Sequence, residues 1–223
     1  MSVNVIAIDG PAASGKSSAA RNLASAIPGA VYVNTGSMYR AAAWKALKNG
    51  IDPAHPDPEK LRSMLDSTEM RFISAPGGQE LEIDGIVPGA ELRTPEISAG
   101  ASAIATVSEV RRKLVELQRK MASENLIVME GRDIGTVVFP DAKYKFFLTA
   151  SPEVRARRRL LQDGGTPDPA EIARIAAEIA ARDKTDSTRA DSPLKAASDA
   201  VLLDNSAMNQ DETIAFMLER IQK

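Results

Sequence analysis

Val3-Asn4-Val5-Ile6-Ala7-Ile8-Asp9 followed by Gly10-Pro11-Ala12-Ala13-Ser14-Gly15-Lys16-Ser17 is an apolar run that meets a glycine-rich turn. The second part matches G-x-x-x-x-G-K-[ST] in full, and a helical pattern follows it over Ser14–Ile27. Strand, loop and helix in that order are what the motif's mechanism needs. The glycines let successive backbone N–H groups turn inward around phosphate oxygens. The helix start adds the positive end of its dipole. Lys16 is placed to reach the β- and γ-phosphates, and the Ser17 hydroxyl to ligate Mg²⁺. The stretch Gly10, Pro11, Ala12, Ala13, Ser14, Gly15, Lys16, Ser17 and Ser18 is therefore expected to hold a nucleoside triphosphate.

Outward from the loop, short apolar runs alternate with helical patterns. Strands are expected at Val3–Asp9, Ala30–Asn34, Leu126–Glu130, Tyr144–Thr149 and Ala200–Asp204. Helices are expected at Ser14–Ile27, Ser37–Lys48, Val107–Ala122, Pro152–Gln162, Pro169–Arg182 and Asp211–Gln222. Alternating βα units with apolar strands imply an α/β fold, a five-stranded parallel sheet flanked by helices. The stretch Glu69–Pro95 breaks the rhythm. Pro76-Gly77-Gly78 is a turn signal, Glu80-Leu81-Glu82-Ile83 alternates polar and apolar, and Asp84-Gly85 leads into Ile86-Val87, so a small antiparallel β insert is expected there. Asp52–Pro58 reads as a proline-punctuated connector.

Composition narrows the function. The 223 residues carry a formal net charge of -2, which argues against general nucleic-acid binding. Without cysteine there is no disulfide and no cysteine-based zinc site, which fits a reducing cytosol. No apolar run is long enough for a membrane span, and the short N-terminal run lacks a basic leader. The expectation is a soluble, unprocessed, cytoplasmic monomer whose partners are small-molecule nucleotides, with neither nucleic acid nor membrane.

Three further clusters bear on what receives the phosphoryl group. Asn34-Thr35-Gly36-Ser37-Met38-Tyr39-Arg40 ends a strand and starts a helix, with Arg40 able to grip a second phosphate. Met129-Glu130-Gly131-Arg132-Asp133 puts carboxylates and an arginine at the C-terminal edge of the sheet, where ligands of open α/β folds bind. Arg155, Arg157, Arg158 and Arg159 precede Gly164-Gly165 and then Arg182, Asp186 and Arg189. That arginine group reads either as a solvated helix face or as a mobile lid closing over phosphates, and the density of arginine beside a Gly-Gly hinge favours the lid.

In these residues the chain resembles the bacterial-type cytidylate kinases of the P-loop nucleoside monophosphate kinase family. The resemblance rests on Ile8–Pro11 with Gly15-Lys16, Thr35–Arg40, Gly131–Ala142, and Arg182-Asp183 followed by Asp186, Arg189 and Pro193-Leu194. It implies a P-loop kinase fold and transfer of the ATP γ-phosphoryl group, with Mg²⁺, to CMP or dCMP. It also implies one kinase domain with a core of 1–34, 108–150 and 195–223. A monophosphate-binding region would occupy 35–107, with the β insert at about 69–95, and a lid and acceptor segment 151–190. By the family pattern Ser102, Arg111 and Asp133 read the cytosine, and Arg182 and Asp186 hold the sugar. Arg40, Arg132 and Arg189 clamp the acceptor phosphate with Thr35 nearby, and Arg158 lies nearest the transferring phosphate. The catalytic set implied is Lys16, Arg132, Arg158, Arg182 and Arg189.

Two departures from the family pattern stand out. Asn34 replaces a common Asp, and Lys16-Ser17-Ser18 replaces Lys-Gly-Thr, leaving Ser17 or Ser18 for the metal. The competing readings are a P-loop kinase for AMP, GMP or shikimate, and a noncatalytic nucleotide-binding module.

Overall fold

A computed structural model describes residues 3–75, 78–123 and 125–221. Its elements run β1 (Val3–Asp9), α1 (Lys16–Ala26), β2 (Ala30–Asn34), α2 (Thr35–Lys48), α3 (Pro58–Asp66), β3 (Met70–Ala75), β4 (Gly78–Ile83), α4 (Pro95–Ile104), α5 (Ser108–Met121), β5 (Leu126–Gly131), β6 (Ala142–Thr149), α6 (Pro152–Gln162), α7 (Pro169–Thr188), β7 (Val201–Asp204) and α8 (Gln210–Ile221). A 3₁₀ turn, Gly89–Arg93, precedes α4, and a π turn, Ile134–Val138, follows β5. The turn residues Pro76-Gly77 and the helix end at Gln222 lie outside the described residues.

The five-stranded sheet has the order β2-β5-β1-β6-β7, and a separate two-stranded sheet pairs β3 with β4. Both were expected. β1 is central: it runs parallel to β5 on one side, with Asp9 opposite Gly131, and parallel to β6 on the other. A central strand is covered on both faces, which is why Val5–Ile8 is continuously apolar and buried.

The chain forms two compact units, Met1–Tyr32 with Asn125–Lys223, and Val33–Glu124. In the first, Ile6, Ile8, Val128, Phe146 and Leu148 of the sheet pack on Ala19, Ala20, Leu23 and Ala24 of α1 and on Met217 of α8. The α1 positions recur at three- and four-residue spacing, one helical face. In the second, α2 packs against α3, α4 and α5. The helix α5, expected with the core, thus falls in the second unit, where it buries Val110, Leu114 and Gln118.

Four helix starts follow one rule. Asp57, Thr94, Ser151 and Asp168 each accept a backbone N–H of the first turn, and each is followed by proline. Such a pair supplies the cap and gives up only an N–H that has no helical partner. Two of these helices, α3 and α4, were not expected; the connector ends where α3 begins. Asn34 caps α2 by accepting the Ser37 N–H at 2.9 Å, so it does a structural task that needs no carboxylate. The Gly164-Gly165 pair, read as a hinge, closes α6: Gly165 N–H donates to Leu160 O at 2.9 Å and Gly164 N–H to Leu161 O at 3.2 Å. Further on, α7 runs six residues beyond the expected Arg182, to Thr188. No described helix is long and apolar enough to cross a membrane.

The insert ends in a tight turn at Asp84-Gly85, where both residues have positive φ, 50° and 79°, as a two-residue hairpin turn demands. The Asp84 carboxylate accepts the Glu69 N–H at 2.9 Å and pairs with Lys45 of α2 at 2.6 Å. Lys45, its side chain only 11% exposed, also donates to Thr68 Oγ1 and to the Met64 carbonyl. Asp84→Ala strands this ammonium and should lower stability by about 1–3 kcal/mol. The check is the urea midpoint at an unchanged slope. Arg71→Ala, which removes an exposed cross-strand pair with Glu82, should leave that midpoint nearly where it was.

Candidate active site

The phosphate loop leaves the end of β1 under tight steric control. Gly10 has φ 149°, and a Cβ there would lie 2.0 Å from the Leu148 carbonyl oxygen, so no other residue fits. Ala13 then takes φ 57°, a left-handed conformation unusual for alanine. With Ala13 and the cap Gly15 both left-handed, the helix cannot begin at Ser14 as expected; it begins at Lys16. Gly15 gives no side-chain cap, and the first helical bond is Ala19 N–H to Gly15 O at 3.0 Å. The amides of Lys16, Ser17 and Ser18 therefore have no intrahelical acceptor, which suits an anion.

Lys16 is 4% exposed, and its Nζ donates to Pro11 O at 2.6 Å and Ser14 Oγ at 3.4 Å. Burial, reinforced by the Arg132 charge, lowers its pKa from 10.5 to about 7. Asp9, at the end of β1, accepts the N–H groups of Ile134 and Gly135, each at 2.8 Å. Burial outweighs those two bonds and raises the Asp9 pKa from 3.8 to about 6, with the Asp133 charge contributing.

Four of the expected acceptor residues meet in the first unit. Arg132 Nε donates to Asp186 at 2.8 Å. Arg189 lies 3.7 Å from the other Asp186 oxygen and 3.5 Å from Asp133, and it donates through Nε to Ser192 O at 2.6 Å. Arg182 is exposed one turn before Asp186 on α7. The other four belong to the second unit. Thr35 opens α2 and is buried, and Arg40 donates to Ser37 Oγ at 2.8 Å. Ser102 on α4 donates to Ser98 O. Arg111 on α5 is buried, donates to Ala105 O, and places its guanidinium 5.7 Å from the Tyr39 ring centroid.

The arginine segment does not act as one group. Arg157 and Arg159 are exposed and pair with Glu153 and Asp163 of their own helix, the solvated-face alternative. Arg155 and Arg158, three residues apart, share the opposite face. Arg158 donates to Asn205 Oδ1 and Asn205 O, each at 2.9 Å, and reaches Ser14 O at 3.4 Å. Arg155 is 9% exposed and held by the Ala150 and Ala12 carbonyls and by Asp183. It ties the phosphate loop to α7. The sequence reading gave no role to Asp183, Asn205 or Asp9. Asn205 donates to Ser14 O at 3.1 Å, and Asp183 accepts the Ala12 N–H at 2.9 Å.

For a divalent cation, Ser17 offers an exposed hydroxyl on the first turn of α1, while Ser18 is half-buried. Among the described residues no three His, Cys, Asp or Glu side chains cluster as a metal cage. One serine beside a phosphate loop fits Mg²⁺, which keeps several waters and takes most other ligands from phosphate.

The electrostatics have a measurable consequence. The folded pKa of Lys16 lies below its unfolded value, so between about 7 and 10.5 the unfolded chain holds the extra proton, and this group's contribution to stability rises with pH. Asp9 runs the other way: from 3.8 to about 6 the folded chain holds the extra proton, and its contribution falls as pH rises. With its pKa lowered to about 7, Lys16 loses much of its charge at pH 8 in the free protein, and a triphosphate bound beside it would restore that charge. Binding of a nonhydrolysable ATP analogue should then take up about one proton, read by calorimetry in buffers of differing ionisation enthalpy. Lys16→Met should abolish the uptake.

Comparison with known proteins agrees with this geometry. A family model described as cytidylate kinase matches residues 6–223. A cytidylate kinase of Corynebacterium efficiens is 43% identical over 216 residues, covering 96% of this chain and 93% of that protein. One from Pelotomaculum thermopropionicum is 44% identical, covering 97% and 95%. The crystal structure of an uncharacterized protein from Eubacterium ventriosum aligns over 98% of this chain and 97% of its own, with a TM-score of 0.55 at 12% identity, a likeness of fold alone. The chain belongs to the cytidylate kinase family.

Proposed function

We propose that the protein transfers the γ-phosphoryl group of ATP to CMP or dCMP, giving ADP and CDP or dCDP. The observation that carries this is the arrangement at the end of the sheet: Asp9, where the phosphate loop leaves β1, stands opposite Gly131, where Arg132 and Asp133 leave β5. A guanidinium from the segment after β5 lies close enough to depress the phosphate-loop lysine. A phosphate loop beside the arginine pair Arg132 and Arg189 suits two anions, a donor phosphate and an acceptor phosphate.

The chemistry needs little else. The acceptor's own phosphate oxygen is the nucleophile, and with a second pKa of about 6 it is already ionised at neutral pH. No general base is required, and His55, whose side chain is 89% exposed, supplies none. Lys16 binds the β- and γ-phosphates, and the loop amides orient the donor. Arg158, held by Asn205 beside the loop, is placed to neutralise charge on the donor. Mg²⁺, when bound near Ser17, screens the phosphates.

On the acceptor side, Arg132 and Arg189 exchange their Asp186 partner for the incoming phosphate, joined by Arg40, with Thr35 nearby. Asp186 and Arg182 then take the sugar. Asp133 accepts the exocyclic amine of cytosine, Arg111 donates to its O2 and N3, and Ser102 assists. Uracil reverses the pattern at that edge and leaves buried groups unpaired. We place this activity in the cytoplasm, in a monomer acting on small-molecule nucleotides.

Coupled ADP release with ATP and Mg²⁺ against CMP, dCMP, UMP, AMP, GMP and shikimate tests the assignment. Cytidine monophosphates should turn over best, and a higher kcat/KM on any other acceptor would overturn it. Asp133→Ala should cut kcat/KM for CMP by roughly a hundredfold or more. Its ATP affinity should stay within about threefold of the parent, since the lost groups face the acceptor. Equal loss of both would remove Asp133 from base reading.

A further inference from the structure

Ala12 sits in the middle of the phosphate loop, and both of its backbone groups are held from elsewhere in the first unit. Its N–H donates to Asp183 Oδ1 at 2.9 Å. Its carbonyl accepts from Arg155 at 3.1 Å, and Arg155 also bonds the other Asp183 oxygen, which closes a ring around one peptide residue. The next residue is Ala13, at φ 57°. A left-handed alanine is strained, and such a conformation persists only where the surroundings over-determine it. Lys16 holds the Pro11 carbonyl, and Asn205 and Arg158 hold the Ser14 carbonyl; the clamp holds the residue between them that precedes Ala13.

Packing alone does not need the clamp. α6 and α7 already meet through Ala156, Leu160, Ile175 and Ile179, with Ala12 in the same cluster. The α7 stripe Ile172, Ile175, Ala176 and Ile179 continues at helical spacing into Asp183, so an apolar face ends in a carboxylate where it reaches the loop. Arg155 and Asp183 have side chains 10% and 18% exposed, and a buried ion pair adds little to stability compared with apolar neighbours. Its value lies in geometry.

We propose that Asp183 and Arg155 are positioning residues for the donor nucleotide: by clamping Ala12 they keep Ala13 left-handed and the loop amides set for phosphate before ATP arrives. The inference rests on the kinase reading only in taking ATP as the loop's ligand. Asp183 touches neither reacting atom. It acts through Ala12.

The test measures binding of a fluorescent, nonhydrolysable ATP analogue with Mg²⁺, alongside melting temperature. Asp183→Ala should weaken binding by roughly tenfold or more, because orienting the loop is left to the ligand. Asp183→Asn keeps an acceptor for the Ala12 N–H and should lose less. The decisive variant is Ala13→Gly in the Asp183→Ala background. Glycine adopts positive φ without strain, so it should recover most of the lost affinity with no matching recovery in melting temperature. Unchanged binding in Asp183→Ala overturns the proposal, and so does a loss that Ala13→Gly fails to restore. Because the readout is donor binding, a wrong acceptor assignment leaves this result standing. A parent protein that binds the analogue but phosphorylates no cytidine monophosphate would overturn only the functional reading.

Discussion

Backbone amides can hold a phosphate only if they are turned toward it beforehand, and the end of β1 is where that requirement is met. Asp9 stands opposite Gly131 in the sheet, so the phosphate loop and the Arg132-Asp133 segment leave adjacent strands at the same level. Gly10 presses against the Leu148 carbonyl on the other side. The Asp9 carboxylate then takes the first two amides of the π turn, so one side chain fixes the exit from β5 while its own backbone starts the loop. A central strand with parallel neighbours on both sides gives this arrangement a rigid base. The register of β1 against β5, and with it the apolar core of Ile6, Ile8 and Val128, sets how near Arg132 comes to Lys16.

That nearness has an electrostatic cost, met in two ways. Arginines stay charged in the free protein and pair with carboxylates: Arg132 with Asp186, Arg189 with Asp186 and Asp133. Lys16 donates to the Pro11 carbonyl and the Ser14 hydroxyl rather than to a carboxylate and titrates instead, its pKa falling to about 7. The difference follows from the side chains. A guanidinium keeps its proton and forks onto two oxygens, whereas an ammonium gives its proton up when desolvated. In the proposed reaction, anions arriving at the site would replace carboxylates around the arginines and restore the charge on the lysine.

Much of the scaffold was legible in the chain. Strands β1 and β2 fall on their expected limits, since each is an apolar run bounded by a turn signal. Helices α6 and α7 begin at the expected Pro152 and Pro169, each after a capping residue; Asp57-Pro58 and Thr94-Pro95 carry the same pattern, yet α3 and α4 were not expected. Asp57-Pro58 sits among other prolines that read as a connector, and α4 buries small residues such as Ala101 that leave a weak apolar pattern. The arginine run was legible as charge but not as two faces, although the three-residue spacing of Arg155 and Arg158 puts them together on a helix. Asp183 and Asn205 were out of reach for a different reason. They act on loop residues 171 and 191 positions away in the chain, and no local pattern encodes a partner at that distance.

The roles left to the protein also explain which residue types dominate. In a transfer between phosphates the nucleophile brings its own charge, so histidine and cysteine have no task, and the chain has one of the former and none of the latter. What remains is to align two highly charged molecules and to balance their charge, and both tasks fall to arginine, lysine and carboxylate. A charged group can align a substrate only if it is itself held. Three guanidinium groups of the first unit are accordingly fixed twice: Arg132 by Asp186 and the Gly131 carbonyl, Arg158 by Asn205 and Ser14, Arg189 by Asp186 and the Ser192 carbonyl. Backbone carbonyls recur because they cannot be displaced by an incoming anion, whereas a carboxylate can. In the proposed reaction, a phosphate that took the place of Asp186 would still find Arg132 and Arg189 aimed by the main chain. The proposed acceptor side would therefore keep its geometry while exchanging its charge.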